Sequence, residues 1–197
     1  MGQQSKKGLN IAGDYNLSGV METASGIRLN ADSSFQFYYS YGASDREGNG
    51  TWTLHDNTLV LNSKPRPAKD FRLISSSHKA GNDFTISLSV PNSALYTFFK
   101  SQLKTADSQF IFKPDKDGLI IAPMGPYVEI GLVFSLCGDR PSYFNDLNKE
   151  HNYFQFGIEK WICEVFFDNI TLIFKEQKLV GQHPLIPGNQ FTYLKQD

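Results

Sequence analysis

The sequence predicts an all-β protein, an N-terminal antiparallel β-meander packed on a C-terminal β-sandwich, with at most a short helix. Three observations predict it. Apolar and polar residues alternate with a period of two through several stretches, the spacing of a strand with one buried face. Aromatics make up 14% of the 197 residues, and aromatic and β-branched side chains suit a pleated, half-buried surface. The long Ala/Leu/Glu/Lys runs of a helical bundle are missing from the sequence.

The clearest alternation lies in residues 26–62, GIRLNADSSFQFYYSYGASDREGNGTWTLHDNTLVLN. Ile27 and Leu29 share a face, and Phe35, Phe37, Tyr39 and Tyr41 share another. Trp52 with Leu54, and Leu59 with Leu61, repeat the pattern. Short polar residues at 31–34 and 55–57 read as turns, because their side chains satisfy turn backbone. Residues 8–20 are expected to add a first strand, and 21–25 a polar connection containing Glu22. Residues 42–49, GASDREGN, read as a solvated hairpin loop. Trp52 is expected to be a structural residue packed against Phe35, Phe37 or Leu59.

Residues 63–69, SKPRPAK, are the best boundary, since two prolines block helix and central strand alike. The expected domains are a meander over 10–63 and a sandwich over 70–197. In the second, 71–75, 84–90, 109–113 and 119–121 read as strands. Residues 92–104 favour a short amphipathic helix capped by Asn92, with a loop and edge strand as the alternative. Residues 127–137 are continuously apolar, as a doubly buried strand would be. A long loop over 138–152 follows, then strands over 153–158, 161–167, 171–174, 178–180 and 191–194.

Gly50-Thr51-Trp52 after a meander resembles the Gly-x-Trp of lipocalin-type barrels. With Gly13 and Tyr15, Ile27 and Leu29, Asp32 and Phe35, Gly42, Ala43 and Asp45 added, the first third of the chain also resembles a group of uncharacterised bacterial all-β proteins. From Phe71 onward the order is similar to the prealbumin-like β-sandwich of carboxypeptidase regulatory-type modules, carried by 86–90, the turn Asp115-Lys116-Asp117-Gly118 and 127–134. That resemblance implies an accessory, non-catalytic role.

A formal charge of −1 with scattered Lys and Arg leaves no basic footprint for nucleic acid. No run reaches the ~20 apolar residues of a membrane helix. The first nine residues lack an apolar segment of the signal-peptide kind. The polar start at 2–8 fits a mature periplasmic or otherwise exported protein whose leader is gone. Cys137 and Cys163 sit among apolar residues and read as buried free thiols, with a disulfide as the alternative. His55, His78, His151 and His183 all fall in polar turns and read as exposed. No phosphate-binding, zinc-binding or nucleophile motif occurs, so no catalytic residue, metal site or cofactor is expected.

Three functions remain open. The first is a non-catalytic binding or interaction module for an unknown protein or small-molecule ligand. The second is a lipocalin-like carrier of a small apolar ligand. The third is a hydrolase with loop-borne residues Asp45, Arg46, Glu22 or His151. The expected binding residues are Asp45, Arg46, Glu22, Tyr39 and Tyr41, and Asp45 and Arg46 are expected to edge a crevice between the two subdomains beside the 42–49 loop.

Overall fold

The computed structural model describes residues 11–196. The polar start at 2–8 and Asn10, where the meander domain was expected to begin, lie outside them. The described residues form seventeen strands and two short 3-10 turns, so the all-β expectation holds. The chain divides into two compact units, Met1–Arg66 with Glu164–Asp197, and Pro67–Cys163. The first boundary falls inside the expected proline-rich join. The expected second domain over 70–197 is corrected: residues 164–197 belong with unit 1, and unit 2 is an insertion in its chain.

Unit 1 begins with β1 (Gly13–Ser18), β2 (Ala24–Leu29), β3 (Ser34–Tyr41), β4 (Ser44–His55) and β5 (Thr58–Asn62). Unit 2 contributes β6 (Phe71–Ser77), β7 (Asp83–Ser89), β8 (Phe99–Lys104), β9 (Gln109–Phe112), β10 (Leu119–Pro123), β11 (Glu129–Phe134), β12 (Ser142–Phe144) and β13 (Tyr153–Ile158). The chain then returns to unit 1 as β14 (Glu164–Val165), β15 (Ile170–Lys175), β16 (Lys178–Gly181) and β17 (Phe191–Lys195).

In unit 1 the strands run β4-β3-β2-β1-β17-β16-β15-β5, and β4 also pairs with β5. That last pairing closes an eight-stranded antiparallel barrel. A five-stranded meander would leave β1 and β5 with unpaired backbone groups. The returning strands satisfy both, β17 beside β1 and β15 beside β5, and closure removes the edges. The inward positions, led by Tyr15, Phe35, Leu59, Leu61, Leu172, Leu179 and Tyr193, are buried and form one core. Trp52 packs half-buried against it and donates Nε1–H to the Asn30 carbonyl at 3.1 Å.

The 42–49 loop is a second correction. Gly42 at φ 57° lets two residues turn the chain, and β4 starts at Ser44, paired with Tyr41. Residues 44–49 are strand despite their polarity. Their inward places fall to Ser44, Arg46 and Gly48, while Asp45, Glu47 and Asn49 face out. Gly48 is needed there: a Cβ would stand 2.8 Å from Phe167 and 2.7 Å from the Val165 carbonyl.

In unit 2 the sheets β10-β7-β13-β6 and β12-β11-β8-β9 share one core. Phe71 meets Phe99 edge to face at 5.9 Å, and Phe144 meets Phe156 at 4.8 Å, each pair joining the two sheets. The expected helix is a single 3-10 turn, Ser93–Phe98, with the Asn92 side chain accepting from the Ala94 N–H at 3.0 Å. The strand expected over 127–137 stops at Phe134, where Ser135–Cys137 turns. The expected loop over 138–152 contains β12. Most of 161–167 is not strand, because this stretch carries the chain back to unit 1 and only Glu164 and Val165 pair, with Glu47 and Gly48.

The cysteines are not free thiols: Cys137 and Cys163 form a disulfide with Cα atoms 5.2 Å apart. Closing a sequence separation of 26 contributes about 3.5 kcal/mol by restricting the unfolded chain. It ties down the last residue of unit 2. The first residues are held by Arg140, whose guanidinium donates to the Pro67 and Ala68 carbonyls and reaches Asp70 at 3.3 Å.

Each unit therefore holds its own core and its own chain crossings. Replacing residues 67–163 by a short Gly/Ser linker should leave a β-rich unit 1 that melts cooperatively. A fragment ending at Ser63 should be unfolded, because five strands cannot close the barrel. Circular dichroism with thermal melting of both fragments checks this, and a folded 1–63 fragment would contradict it.

Candidate functional site

The five residues expected to bind do not form one cluster. Glu22 is exposed in the β1–β2 turn with φ 55°. Tyr41 is exposed at the end of β3. Asp45 is exposed on the outer side of β4 and accepts a hydrogen bond from the Ser40 hydroxyl at 2.5 Å. Tyr39 and Arg46 do come together, in the inward row Ser25–Tyr39–Arg46 across β2, β3 and β4. Both are half-buried, and Arg46 Nη2 donates to the Glu164 carbonyl at 3.3 Å.

Against that row packs His183, from the segment after β16. His183 was expected in an exposed turn, yet it is only 5% exposed. Its ring lies among Phe37, Tyr39, Phe191 and Tyr193, with centroids 5.6–6.3 Å away. Nδ1 accepts from the Leu185 and Ile186 N–H groups at 3.0 and 3.1 Å. With Nδ1 accepting twice, the hydrogen-bond network assigns the ring proton to Nε2. Nε2 then donates to the Ser25 hydroxyl at 3.2 Å, and that hydroxyl donates to the Tyr38 carbonyl at 2.9 Å. A serine nucleophile needs a base nitrogen facing its hydroxyl; here the nitrogen facing Ser25 is protonated. The pair pins residues 183–186 across the barrel and does not activate Ser25.

Burial acts on the titrating groups of this core. Desolvation lowers the His183 pKa from 6.5 to about 4. It pushes Tyr15 up to about 12 and Tyr193 higher still. The Tyr15 hydroxyl donates to the Ile11 carbonyl at 2.7 Å.

Among the described residues, two of the concavities that lie away from this packed interior combine polar and apolar linings. One is a hollow of about 560 Å³ on the outer face of β1–β4, lined by Asp14, Asn16, Arg28, Gln36, Tyr38, Glu47 and Asn49 among others. The second, of about 390 Å³, lies in unit 2. Phe84 and Phe154 line it from β7 and β13, Met124, Tyr127 and Val128 from the segment before β11, and Leu147 from the segment before β13. Asn145, Asn148, Lys149 and His151 supply its polar side.

The wall of this second pocket is set by buried Asn152. Its side chain donates to the Lys79 and Asp83 carbonyls, both at 3.0 Å, and accepts from the Lys79 N–H at 2.7 Å. His151 is held by the Ser76 hydroxyl at 2.8 Å and the Asn148 side chain at 3.3 Å. Tyr127 is fixed by its hydroxyl on the Pro123 carbonyl at 3.0 Å and its ring on Phe84 at 4.9 Å. Among the described residues no three His, Cys, Asp or Glu side chains gather as metal ligands.

The chain matches no protein-family model, no curated protein and no solved structure.

The buried imidazole makes a pH prediction. Between pH 6.5 and 4 the unfolded chain protonates His183 and the folded one does not. The unfolded state therefore binds more protons, and this contribution to stability falls as pH falls through that window. The expected loss is about 3 kcal/mol across it. Denaturant titration of the wild type against His183→Gln, with the carboxylate contribution common to both, should show the difference shrinking toward pH 4. A difference independent of pH would contradict the assignment.

Proposed function

We propose that this chain is a non-catalytic binding or interaction module of the kind carried by exported bacterial proteins, and that it takes a small apolar ligand in the unit 2 pocket. The observation that carries this reading is the pocket itself. Its volume of about 390 Å³ falls in the range of about 300–1,000 Å³ usual for small-ligand sites. Its lining joins three aromatic rings with a few polar groups on one side, which is how such sites gain affinity and then orientation. The Asn152 network fixes the wall before any ligand arrives, so little ordering cost is left to binding. Met124 and Val128 stand 51% and 46% exposed beside it, apolar surface that a ligand would cover.

Two features support the wider setting. The Cys137–Cys163 bond supports an exported setting, because disulfides persist in oxidising compartments such as the periplasm. Two packed four-stranded sheets agree with the β-sandwich of accessory modules that this part of the sequence resembles. The carrier reading loses its expected place, because the inward positions of the barrel are filled by side chains. A small apolar ligand is better served by unit 2. No cofactor, nucleic acid or membrane span enters this reading; no helix among the described residues is long and apolar enough to cross a membrane.

Titration of the full chain with indole, p-cresol and decanoate, followed by the Met124 methyl signal, tests it. At least one probe should bind saturably with a dissociation constant near or below about 1 mM. Val128→Arg, which places a charge at the mouth, should weaken that binding at least about tenfold without lowering the melting temperature. No saturable binding, or binding untouched by Val128→Arg, would refute the pocket.

A further inference from the structure

The outer face of β1–β4 carries a second, independent arrangement. Two rows cross the four strands in register. One is Asp14–Arg28–Gln36–Asn49, and the other Asn16–Gly26–Tyr38–Glu47. Gly26 makes a gap in the second row, and Tyr38 fills it. A Cβ on Gly26 would stand 2.5 Å from Tyr38 Cε1, and the Tyr38 hydroxyl reaches across β2 to donate to Asn16 Oδ1 at 3.1 Å. The ring is thus laid over the glycine with one side on the sheet. The residue stays 45% exposed, so the other side meets solvent.

What surrounds this ring is planar and polar. Arg28 and Asp14 neutralise one another through two bonds, Nε to Oδ1 at 2.6 Å and Nη2 to Oδ2 at 3.2 Å. Gln36, Glu47 and Asn49 add amide and carboxylate groups around a hollow of about 560 Å³. An anion would meet the Glu47 carboxylate while the one guanidinium is already bonded to Asp14. A purely apolar ligand would strand the amides without hydrogen bonds. A neutral ring bearing several hydroxyls satisfies both constraints: its C–H face lies on the tyrosine, and its hydroxyls each donate and accept with the side-chain amides and carboxylate. The geometry points to a saccharide-binding face on β1–β4, with Tyr38 as the stacking platform and Gln36, Glu47 and Asn49 as the hydroxyl ligands.

A tyrosine laid over a glycine is also a sheet-building device, and the protein supplies its own control. In unit 2, Tyr143 lies over Gly131, 2.9 Å from where a Cβ would be, and its hydroxyl contacts Gln102 Oε1 at 3.4 Å. It too is 45% exposed. Its row runs on through Gln102 to Ile111, which is 62% exposed and apolar. Tyr143 therefore has the platform without the ring of hydroxyl ligands.

The test is a titration of the ¹⁵N-labelled full chain with glucose, galactose, mannose, N-acetylglucosamine, maltose and cellobiose. At least one sugar should give saturable amide shifts centred on Asn16, Tyr38 and Asn49, with a dissociation constant of about 1 mM, as an open site of this size allows. Tyr38→Ala should weaken it about tenfold, and Tyr143→Ala should leave it unchanged. If Tyr38→Ala lowers the melting temperature, the surface double variant Gln36→Ala/Asn49→Ala decides, with the same expected weakening. The proposal is overturned if no sugar saturates, if the shifts centre elsewhere, or if the deciding variant binds as the wild type does. The unit 2 pocket is read by other probes and other residues, so either site can fail without the other.

Discussion

Phe167 holds unit 1 together. Its ring meets Phe35 at 4.8 Å and Phe37 at 5.2 Å, both edge to face, an arrangement worth more than the area it buries. It fits only because Gly48 leaves the inward side of β4 bare, where a Cβ would press on its ring; a Cβ on Gly50 would collide with the Asn62 carbonyl and then with Phe35. Phe167 also brings its own backbone into place, accepting from the Ser63 N–H at 2.8 Å. The residue that completes the aromatic face of the meander thus lies some hundred positions later in the chain, on the far side of the insertion. Ring closure by β15 and β17 follows from the same return.

This explains which parts of the fold were legible. Alternation revealed β2, β3, β5 and β7 because one face of each is apolar and the other wet. It hid the first half of β4, whose inward places are Ser44, Arg46, Gly48 and Gly50: glycine made necessary by a distant ring looks like a flexible loop. It overread 127–137, since an apolar run does not say where a strand stops and a turn begins. Nothing local announced that 164–197 rejoin the first 66 residues, because strand pairing is a property of pairs of segments and the sequence displays them one at a time.

The sites were less legible still. Alternation placed Tyr39 on the inward face, whereas Arg46 was read as part of a solvated loop and reaches that face only because residues 44–49 are strand. Buried His183 was missed because its partners are two backbone N–H groups, a serine 158 positions away and four aromatic rings, none visible in the polar stretch Gln182-His183-Pro184. Its neighbours Leu185 and Ile186 were the one hint that this turn faces inward. The unit 2 pocket joins three separated segments, and the polar hollow needs four strands in register. Concave surfaces of this kind sit on rigid frames whose core does not encode them.

The central claim is that the barrel is one cooperative body made from two stretches of chain. Native-state hydrogen exchange of the intact protein tests it most directly, since cooperative units open with a shared free energy. The slowest amides of β1–β5 should exchange with the same opening free energy as those of β15–β17. Amides of β1–β5 that stay protected while β15–β17 open would show that the meander stands alone and that the returning chain merely decorates it.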